Sequence, residues 1–448
     1  MSRLSRILVA FCLMCAPAWA ANYHICSGGT GDGSTWTACA PVPAGDAWNR
    51  ANTYYIATGD YSGRIRFESA SGAGTLTVKK ATAGDHGSDT GWSAGYGTGQ
   101  AVFTYGDDAL SVLWVNIGSL TITGQYRSTT TTGHGFKFYH SYAGANDHQT
   151  IQFEPEVAIA NVTISYIDAY TNASATGVNN VAKIQATTQD QINNVTLSYS
   201  YFHDASQDIL LLRDLDSFVL DNSVIARNLV VGETHGQGIS NDCCNNVTIS
   251  NNIFEDITSS GQIASGMSTS CTSDNWKIYN NIFYRTAAGP TQAGGIRNWS
   301  GYGTRTGWYI VGNTFYQIDY TCSTCQPIIE FPAGSSGNYA YNNIMYQLGN
   351  GTTLGISNIT NDYNAYYGNS GRPNEAHKVD LAGDPFVTAG SNFHLTASIG
   401  TGKTDVGIPF NVDKDGVARS QWIGAYEYQA TPETGSIHGI TSMGVSRQ

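Results

Sequence analysis

The sequence predicts an all-β protein in which short strands stack into a coil, and three observations lead to this prediction. From residue 160 onward one phrase recurs, in forms that include NNVTISNNIF, DNWKIYNNIF and TGWYIVGNTF. Repetition at this period is typical of stacked repeat proteins. β-Branched and aromatic residues alternate with Asn, Ser and Thr at period two, which favours strands over helices. Gly, Asn or Asp interrupts every unit, so we expect each strand to be short.

The last apolar residue of each unit marks the length of the repeat. These residues are 33, 23, 29, 29, 32 and 30 positions apart: Ala169, Phe202, Ile225, Phe254, Phe283, Phe315 and Met345. The uneven spacing predicts loops of different length between strands of similar length.

Two columns of identical residues predict how successive turns stack. Four consecutive units carry Asn two positions before the marker: Asn252, Asn281, Asn313 and Asn343. Amides stacked at the strand spacing of about 4.8 Å hydrogen-bond to one another, so these residues predict an asparagine ladder. An isoleucine opens the next strand of successive units: Ile184, Ile209, Ile239, Ile263, Ile296 and Ile328. We expect this second column to face inward, and two columns in phase require at least two sheets per turn.

With these repeats and columns, the chain resembles secreted bacterial proteins of the right-handed parallel β-helix, the pectate-lyase-like architecture, over roughly residues 50 to 430. We therefore expect one long solenoid domain rather than several globular domains, because a solenoid grows by adding turns. The predicted organisation is a signal peptide at 1–20, an N-terminal cap at 21–50, the parallel β-helix at 51–429 and a polar tail at 430–448.

The first residues predict export from the cytoplasm. Arg3 and Arg6 precede an apolar run from residue 7 to residue 15, and Ala18-Trp19-Ala20 suits cleavage by signal peptidase after Ala20. A short membrane anchor is the alternative interpretation of this segment. No later stretch approaches the roughly 20 apolar residues that cross a bilayer. We expect a secreted protein, extracellular or periplasmic, that acts as a monomer.

Composition favours a carbohydrate partner. Only 12% of the residues are charged, whereas the chain has 51 glycines and 27 tyrosines. A surface rich in Asn, Ser, Thr and Tyr suits hydrogen bonding and ring stacking with sugars. The net charge of −12 becomes −14 when Arg3 and Arg6 leave with the signal peptide. This charge argues against nucleic acid and anionic membranes as partners, and a polyanionic substrate would need a cation or a local basic cleft.

Seven cysteines remain after removal of the predicted signal peptide. In an exported protein we expect Cys26–Cys39 in the cap and Cys322–Cys325 within one loop. Cys244 and Cys271 lie beyond the isoleucine column on neighbouring turns, so we expect them to pair and to leave Cys243 free. A zinc site is the alternative use of these thiols, but no histidine stands at ligand spacing.

Functional side chains are expected on the outward face of a strand, because they alternate there with inward isoleucines. Small residues such as Gly238, Ala264 and Gly295 predict a shallow groove, with Lys183 and Asp208 at one end and Arg297 and Trp299 at the other. The candidate catalytic residues are His235, Lys183, Arg213 and Arg297. The candidate substrate-binding residues are Asp208, Gln237, Asp242 and Trp299.

Each candidate has a structural alternative. Lys183 and Asp208 are expected in one column, each directly before its isoleucine on adjacent turns, where they would form an ordinary exposed ion pair. Arg297 would hydrogen-bond a loop, and Trp299 would cover one. Lys183 and Arg297 stand four turns apart, about 19 Å, so they would not act on the same sugar. His235, between glycine-rich neighbours, is the preferred general base.

The resemblance implies a polysaccharide as substrate and leaves three activities open. Lyases on this fold use Lys, Arg, His or Tyr to remove the proton beside a uronate carboxylate, which calcium neutralises; Asp208 or Asp242 would hold calcium. Polygalacturonases use a Gly-His-Gly motif and paired aspartates, of which His235-Gly236 matches only a fragment. Asp208 and Asp242 are roughly 14 Å apart by strand geometry, too wide for a glycosidase pair. We therefore expect a lyase acting on a uronic-acid-containing polymer by β-elimination, with a glycoside hydrolase or a non-catalytic carbohydrate-binding protein as alternatives.

Overall fold

The computed structural model describes residues 21–107, 110–172, 177, 179–186, 188, 191–228, 236–257, 261–265, 271–286, 294–299, 303–318, 328–348, 354, 356–368 and 371–429. The predicted signal peptide, the predicted tail, His235, Cys322 and Cys325 lie outside these residues. Among the described residues, no helix is long and apolar enough to cross a membrane.

Three long parallel sheets of 12, 12 and 10 strands run along the coil, and each complete turn of the chain adds one strand to each sheet in the same order. The first sheet contains β1 (Ala21–Ile25), β3 (Asn52–Ile56), β7 (Leu76–Lys80), β10 (Leu120–Thr123), β13 (Ile159–Ser165), β16 (Ile192–Ser198), β19 (Leu215–Asp221), β22 (Thr248–Ser250), β25 (Lys277–Tyr279), β28 (Tyr309–Val311), β31 (Tyr339–Tyr341) and β34 (Thr360–Asp362). The predicted cap thus includes β1, which pairs with β3 at the end of this sheet.

The second and third sheets follow the first within every turn. The second sheet contains β4 (Gly59–Ser62), β8 (Ala101–Tyr105), β11 (Phe136–His140), β14 (Ile167–Thr171), β17 (Tyr201–Ala205), β20 (Val224–Asn228), β23 (Ile253–Glu255), β26 (Ile282–Tyr284), β29 (Thr314–Tyr316), β32 (Ile344–Tyr346), β35 (Ala365–Tyr367) and β36 (Val379–Asp380). The third contains β5 (Ile65–Phe67), β9 (Leu113–Val115), β12 (His148–Phe153), β15 (Asn179–Gln185), β18 (Leu210–Arg213), β21 (Ile239–Asp242), β24 (Ile263–Ser265), β27 (Ile296–Asn298), β30 (Ile329–Glu330) and β33 (Ile356–Ser357). This topology confirms the predicted right-handed parallel β-helix.

The remaining elements are small. β2 (Trp48–Asn49) pairs with β6 (Ala70–Ser71), and a short 3₁₀ helix spans Ala94–Tyr96. β37 (Phe386–Thr388) and β38 (Asn392–Leu395) form an antiparallel hairpin. Its Phe386 and Phe393 pack on Tyr316 and Tyr346, on the outer face of the second sheet. The chain after the hairpin runs back along the coil, where the Arg419 guanidinium donates to the Asn280 amide oxygen at 2.6 Å.

The asparagine column is confirmed. The backbone N–H and the side-chain amide of Asn252 both donate to Oδ1 of Asn281, at 2.9 and 3.0 Å. The same pair of bonds joins Asn281 to Asn313 and Asn313 to Asn343, and the column extends to Asn364. These amides are fully buried at the corner between the first and second sheets, so each hydrogen bond replaces one that water would otherwise make.

The isoleucine column is correct in part. Ile239, Ile263 and Ile296 pair in register on β21, β24 and β27. Ile184 was wrongly placed in this column, because it pairs with Leu212. Ile209 and Ile328 were also wrongly placed, since Leu210 and Ile329 occupy the register positions. The run Ile209-Leu210-Leu211-Leu212 is apolar throughout, so hydrophobicity alone does not select one register among neighbouring ones.

The disulfides correct one cysteine assignment. Cys26–Cys39 forms as predicted. Cys271 bonds to Cys243, not to Cys244 as predicted, and Cys244 is a buried free thiol. Cys243 has a left-handed backbone with φ of 57°, so the chain turns there and the next residue, fully buried Cys244, joins the core.

Candidate functional site

A cavity of about 250 Å³ lies on the outer face of the third sheet, and we call it the third-sheet cavity. Strands β15, β18 and β21 and the residues just before them supply most of its wall. Five predicted site residues border it: Lys183, Asp208, Arg213, Gln237 and Trp299. The structure therefore brings together residues that are 116 positions apart in the sequence, from Lys183 to Trp299.

Register arranges the wall in three outward columns. The middle column contains Lys183, Leu211 and Ser240, which are direct partners on β15, β18 and β21. The column toward the C-terminal ends of the strands contains Gln185, Arg213 and Asp242. The column at the N-terminal side contains Gln149 and Asn180, the second residues of β12 and β15, and Asp208 and Gln237, which continue the same register just before β18 and β21.

Lys183 and Asp208 do not stand in one column, contrary to the prediction. Lys183 lies opposite Leu211, and Asp208 lies opposite Asn180. The error follows from aligning Ile184 with Ile209. Both residues nevertheless border the third-sheet cavity, because the two columns lie side by side.

Asp208 is the buried carboxyl group of the cavity wall, with 4% of its surface exposed. Its Oδ1 accepts the backbone N–H of Gln237 at 2.9 Å. Burial raises the pKa of Asp208 to about 7, and the Gln237 N–H, the Arg213 charge and Ser240 oppose the rise. A carboxyl group with this pKa exchanges a proton near neutral pH, which suits acid–base chemistry.

Two cations share the wall with Asp208. Lys183 is half-buried in the middle column, and Arg213 is half-buried at the end of β18. Arg213 lies opposite Asp242, which is 8% exposed. Lys183 and Arg213 thus place two positive charges on the wall that also carries the carboxyl groups of Asp147 and Asp208.

Trp299 and Arg297 differ in their relation to the cavity. Trp299 follows β27 and borders the third-sheet cavity. Arg297 is not among the bordering residues. It lies four strands from Lys183, the predicted separation, but in the same middle column rather than in a different one. Its guanidinium pairs with Glu330 at 3.0 Å and lies 5.9 Å from the Trp299 ring. Arg297 therefore has the structural role of an ion pair beside Trp299.

Asp242 belongs to a different cluster. Within the described part of the chain, one group of side chains has ligand atoms close enough together to hold a metal ion. It consists of Asp242, Cys243 and Cys271. The two sulfurs form a disulfide, so they do not offer thiolates to a metal. Calcium prefers oxygen ligands, and the third-sheet cavity has the carboxyl groups of Asp147 and Asp208 on its wall.

His235, the predicted base, lies outside the described residues. The chain re-enters the described part at Gly236, whose carbonyl oxygen accepts the Asn228 amide. Gln237, two positions after His235, borders the cavity.

Sequence analysis missed Asp147, Gln149 and Asn180, which also border the cavity. Asn180 is 2% exposed, and its Oδ1 has no hydrogen-bond partner among the described residues. One signal was available. An amide precedes or opens successive third-sheet strands, in a set that comprises Gln149, Asn180, Gln207, Gln237 and Gln262. Gln149, Asn180, Gln207 and Gln237 of this set border the cavity, and their amides suit hydrogen bonding to sugar hydroxyls.

His203 and Asp204, which precede Asp208, lie on the second sheet and form a separate cluster. The His203 ring contacts Asp168 at 2.9 Å and Asp204 at 2.6 Å. Arg227 binds Asp204 at 2.7 Å, and the bonds from His203 and Arg227 lower the pKa of Asp204 to about 2 despite its burial. These groups satisfy one another, so the cluster has the character of a structural ion network.

Comparison with known proteins identifies no family. No family model matches the chain, and no curated protein is similar to it. Solved structures are similar in outline. Pectate lyase Pel9A has 13% identity and a TM-score of 0.47, over 91% of this chain and 96% of its own. XylC in complex with xylose has 11% identity and a TM-score of 0.43, over 90% of this chain and 98% of its own.

A third solved structure is the PL6 family polysaccharide lyase Pedsa3628 from Pseudopedobacter saltans. It has 13% identity and a TM-score of 0.29, over 77% of this chain and 92% of its own. Similarity at this level assigns no residue a role. The fold follows from the strand pairing of the chain itself, and the site from its own geometry.

Proposed function

We propose that this protein is an exported polysaccharide lyase that cleaves a uronic-acid-containing polymer by β-elimination in the third-sheet cavity. One observation carries the proposal: Lys183 and Arg213 border the same cavity as the buried Asp208 and a set of amide side chains. Two disulfides among the described residues support export, because such bonds persist in oxidising compartments.

β-Elimination makes three demands on a site. A base takes the proton from C5 of the uronate, the C4–O bond breaks as a C4=C5 double bond forms, and the leaving oxygen takes up a proton. A positive group stabilises the negative charge that develops on the carboxylate. The site therefore needs a base, a proton donor and a cation close together.

The cavity residues match these demands by type. Arg213 binds the uronate carboxylate, because its planar guanidinium suits two parallel hydrogen bonds. His235 is the proposed base, and Lys183 is the second residue of suitable type. Asp208, with a pKa of about 7, carries a proton in part at neutral pH and donates it to the leaving oxygen. Gln237 and Asn180 hydrogen-bond the sugar hydroxyls.

Calcium remains part of the proposal, because the wall offers the oxygen ligands it prefers. Asp147 would supply a carboxylate, and the unpartnered Oδ1 of buried Asn180 would supply a carbonyl oxygen, while Asp208 keeps its role as proton donor. Bound calcium would neutralise the uronate carboxylate, the task otherwise given to Arg213.

Glycoside hydrolysis is the second candidate, and one observation favours it. Asp147 and Asp208 are two carboxylates on one cavity. Two strands and two positions separate them, so their Cα atoms are about 12 Å apart by strand geometry. An inverting pair has its carboxyl groups about 6.5 to 9.5 Å apart, which these side chains reach only when they point toward each other.

The experiment offers the purified protein a panel of uronic-acid-containing and neutral polysaccharides, with and without a calcium chelator. Reducing ends together with ultraviolet absorbance of the unsaturated uronide are expected. Reducing ends without absorbance would indicate a hydrolase. Retention on a polysaccharide gel without cleavage would indicate a carbohydrate-binding protein. Arg213→Gln should lose activity, whereas Arg372→Gln, on the exposed surface, is the matched control.

A further inference from the structure

Inside the coil, one inward column changes from apolar to polar for three consecutive turns. The column contains the apolar residues Phe153, Ile184 and Leu212, and its next three members are Asn241, Ser265 and Asn298. Phe331 then follows at the next turn. These three polar side chains are 0 to 1% exposed. Polar groups in a hydrophobic interior are stable only when they find partners.

Several atoms of this cluster have no partner among the described residues. They are Oδ1 of Asn241, both polar atoms of the Asn298 amide, and Nε of Arg305. Each belongs to a side chain that is at least 99% buried. The register places them together, since Asn241, Ser265 and Asn298 lie on adjacent strands about 4.8 Å apart.

Arg305 brings a positive charge into this column. Its side chain is 1% exposed, and its Nη2 donates to the Ser265 hydroxyl at 3.3 Å. Its Nη1 donates to the Thr304 carbonyl oxygen at 3.3 Å. The carboxylates of Asp242 and Asp274 act on it through space, and burial lowers the pKa of Arg305 below its ordinary value.

The available groups of the cluster include three kinds of donor beside the acceptor oxygens of Asn241 and Asn298. Arg305 offers its Nε–H, Asn298 offers its amide N–H groups, and Ser265 offers its O–H because its oxygen already accepts from Arg305. Donors around a buried guanidinium are the environment that an anion prefers.

We propose that this interior cluster, formed by Asn241, Ser265, Asn298 and Arg305, is a binding site for a small inorganic anion of the size of chloride. The anion accepts from Arg305 Nε, from the Asn298 amide and from the Ser265 hydroxyl. The oxygens of Asn241 and Asn298 accept from water bound beside it. The site lies inside strands β21, β24 and β27, whose outer faces carry Ser240, Ala264 and Arg297, so it is separate from the third-sheet cavity and independent of the lyase proposal.

Thermal unfolding in chloride tests the proposal. Sodium chloride replaces sodium gluconate at constant ionic strength, so general screening is unchanged. An anion that binds only the folded state should raise the unfolding midpoint by about 2 °C for each tenfold rise in chloride above its dissociation constant. Arg305→Met should abolish the dependence. The matched control is Arg297→Met, an arginine on the outer face of the same strand group, which should keep it.

Wild-type crystals soaked in bromide provide a second measurement that does not depend on a variant folding. An anomalous bromide peak within hydrogen-bond distance of Arg305 Nε is expected. Density for water alone at this position would overturn the proposal. A chloride dependence that survives in Arg305→Met would also overturn it.

Discussion

The backbone N–H of Gln237 donates to the buried carboxyl group of Asp208 at 2.9 Å, across one turn of the coil. This bond joins the residues just before β18 to the residues just before β21, so the proposed proton donor is held by the neighbouring turn. The Ser240 side chain also hydrogen-bonds the Asp208 carboxyl group, so β21 and the residues just before it hold this side chain in place.

The pH dependence of stability should reveal the carboxyl group of Asp208. Its folded pKa of about 7 lies above the ordinary Asp value of about 3.9, so the folded state binds the proton more tightly. The contribution to stability is fully present below about pH 4 and is lost as pH rises to about 7. The free energy of unfolding should fall by an amount on the order of 4 kcal/mol across this pH range. Chemical denaturation from pH 4.5 to 8 measures it.

Asp208→Asn should remove this component, because an amide does not titrate and its oxygen still accepts the Gln237 N–H. Asp60→Asn, at an exposed position, is the control and should follow the wild type. A wild-type stability that is flat or rises between pH 4.5 and 7, with the same profile in Asp208→Asn, would contradict the assignment.

His235→Ala should lower turnover by about two to four orders of magnitude, because general base catalysis contributes that much. Binding should barely change, since the base acts mainly in the transition state. Steady-state rates and retention on the polysaccharide measure the two effects separately. His377→Ala, at a surface position, is the control. Full activity of His235→Ala would remove His235 as the base and direct attention to Lys183.

Trp299→Ala should weaken substrate binding while the chemical step survives. An indole that supports a sugar ring contributes about 0.5 to 1.5 kcal/mol, so affinity should fall about 2- to 12-fold. Trp299→Phe keeps an aromatic face and should retain most of the affinity. Equal loss of turnover at saturating substrate in both variants would show that Trp299 has another role.

The sequence predicted correctly those features of the fold for which the chemistry of the side chains permits only one arrangement. The asparagine column was predictable because a buried amide at a fixed position needs an identical neighbour. The register at Ile209 was not predictable, since four consecutive apolar residues can be aligned with the neighbouring strand in several ways. The choice between Cys243 and Cys244 depended on one left-handed backbone angle, which the sequence does not display.

For the candidate site, the sequence predicted which residues belong together better than it predicted their positions in the columns. Lys183, Asp208, Arg213, Gln237 and Trp299 meet at one cavity although their columns were assigned incorrectly. Whether these side chains border the same cavity depends on their length and direction. The spacing of residues in the sequence predicts only how far apart their backbones lie. The burial that raises the pKa of Asp208 is likewise a property of the folded chain.

Asn281→Ala should destabilise the protein by about 3 kcal/mol or more. Asn281 Oδ1 accepts from Asn252, and its amide donates to the carbonyl oxygens of Ile249 and Tyr279 and to Asn313. Each buried group left unpaired costs about 1 to 3 kcal/mol. Urea denaturation measures the loss. Asn22→Ala, at an exposed position of β1, should stay within about 0.5 kcal/mol of wild type. Equal stability of the two variants would contradict the ladder's role.

Cys244 should resist alkylation in the folded protein and react after unfolding. Burial raises the pKa of its thiol to about 12, so little reactive thiolate exists at neutral pH. Peptide mapping without reduction should recover Cys243 linked to Cys271. Cys244→Ala should keep that link, whereas Cys243→Ser should lose it together with about 3.5 kcal/mol of stability, the value for closing a loop of this length. Recovery of a Cys244–Cys271 peptide from the wild type would restore the pairing that the sequence predicted.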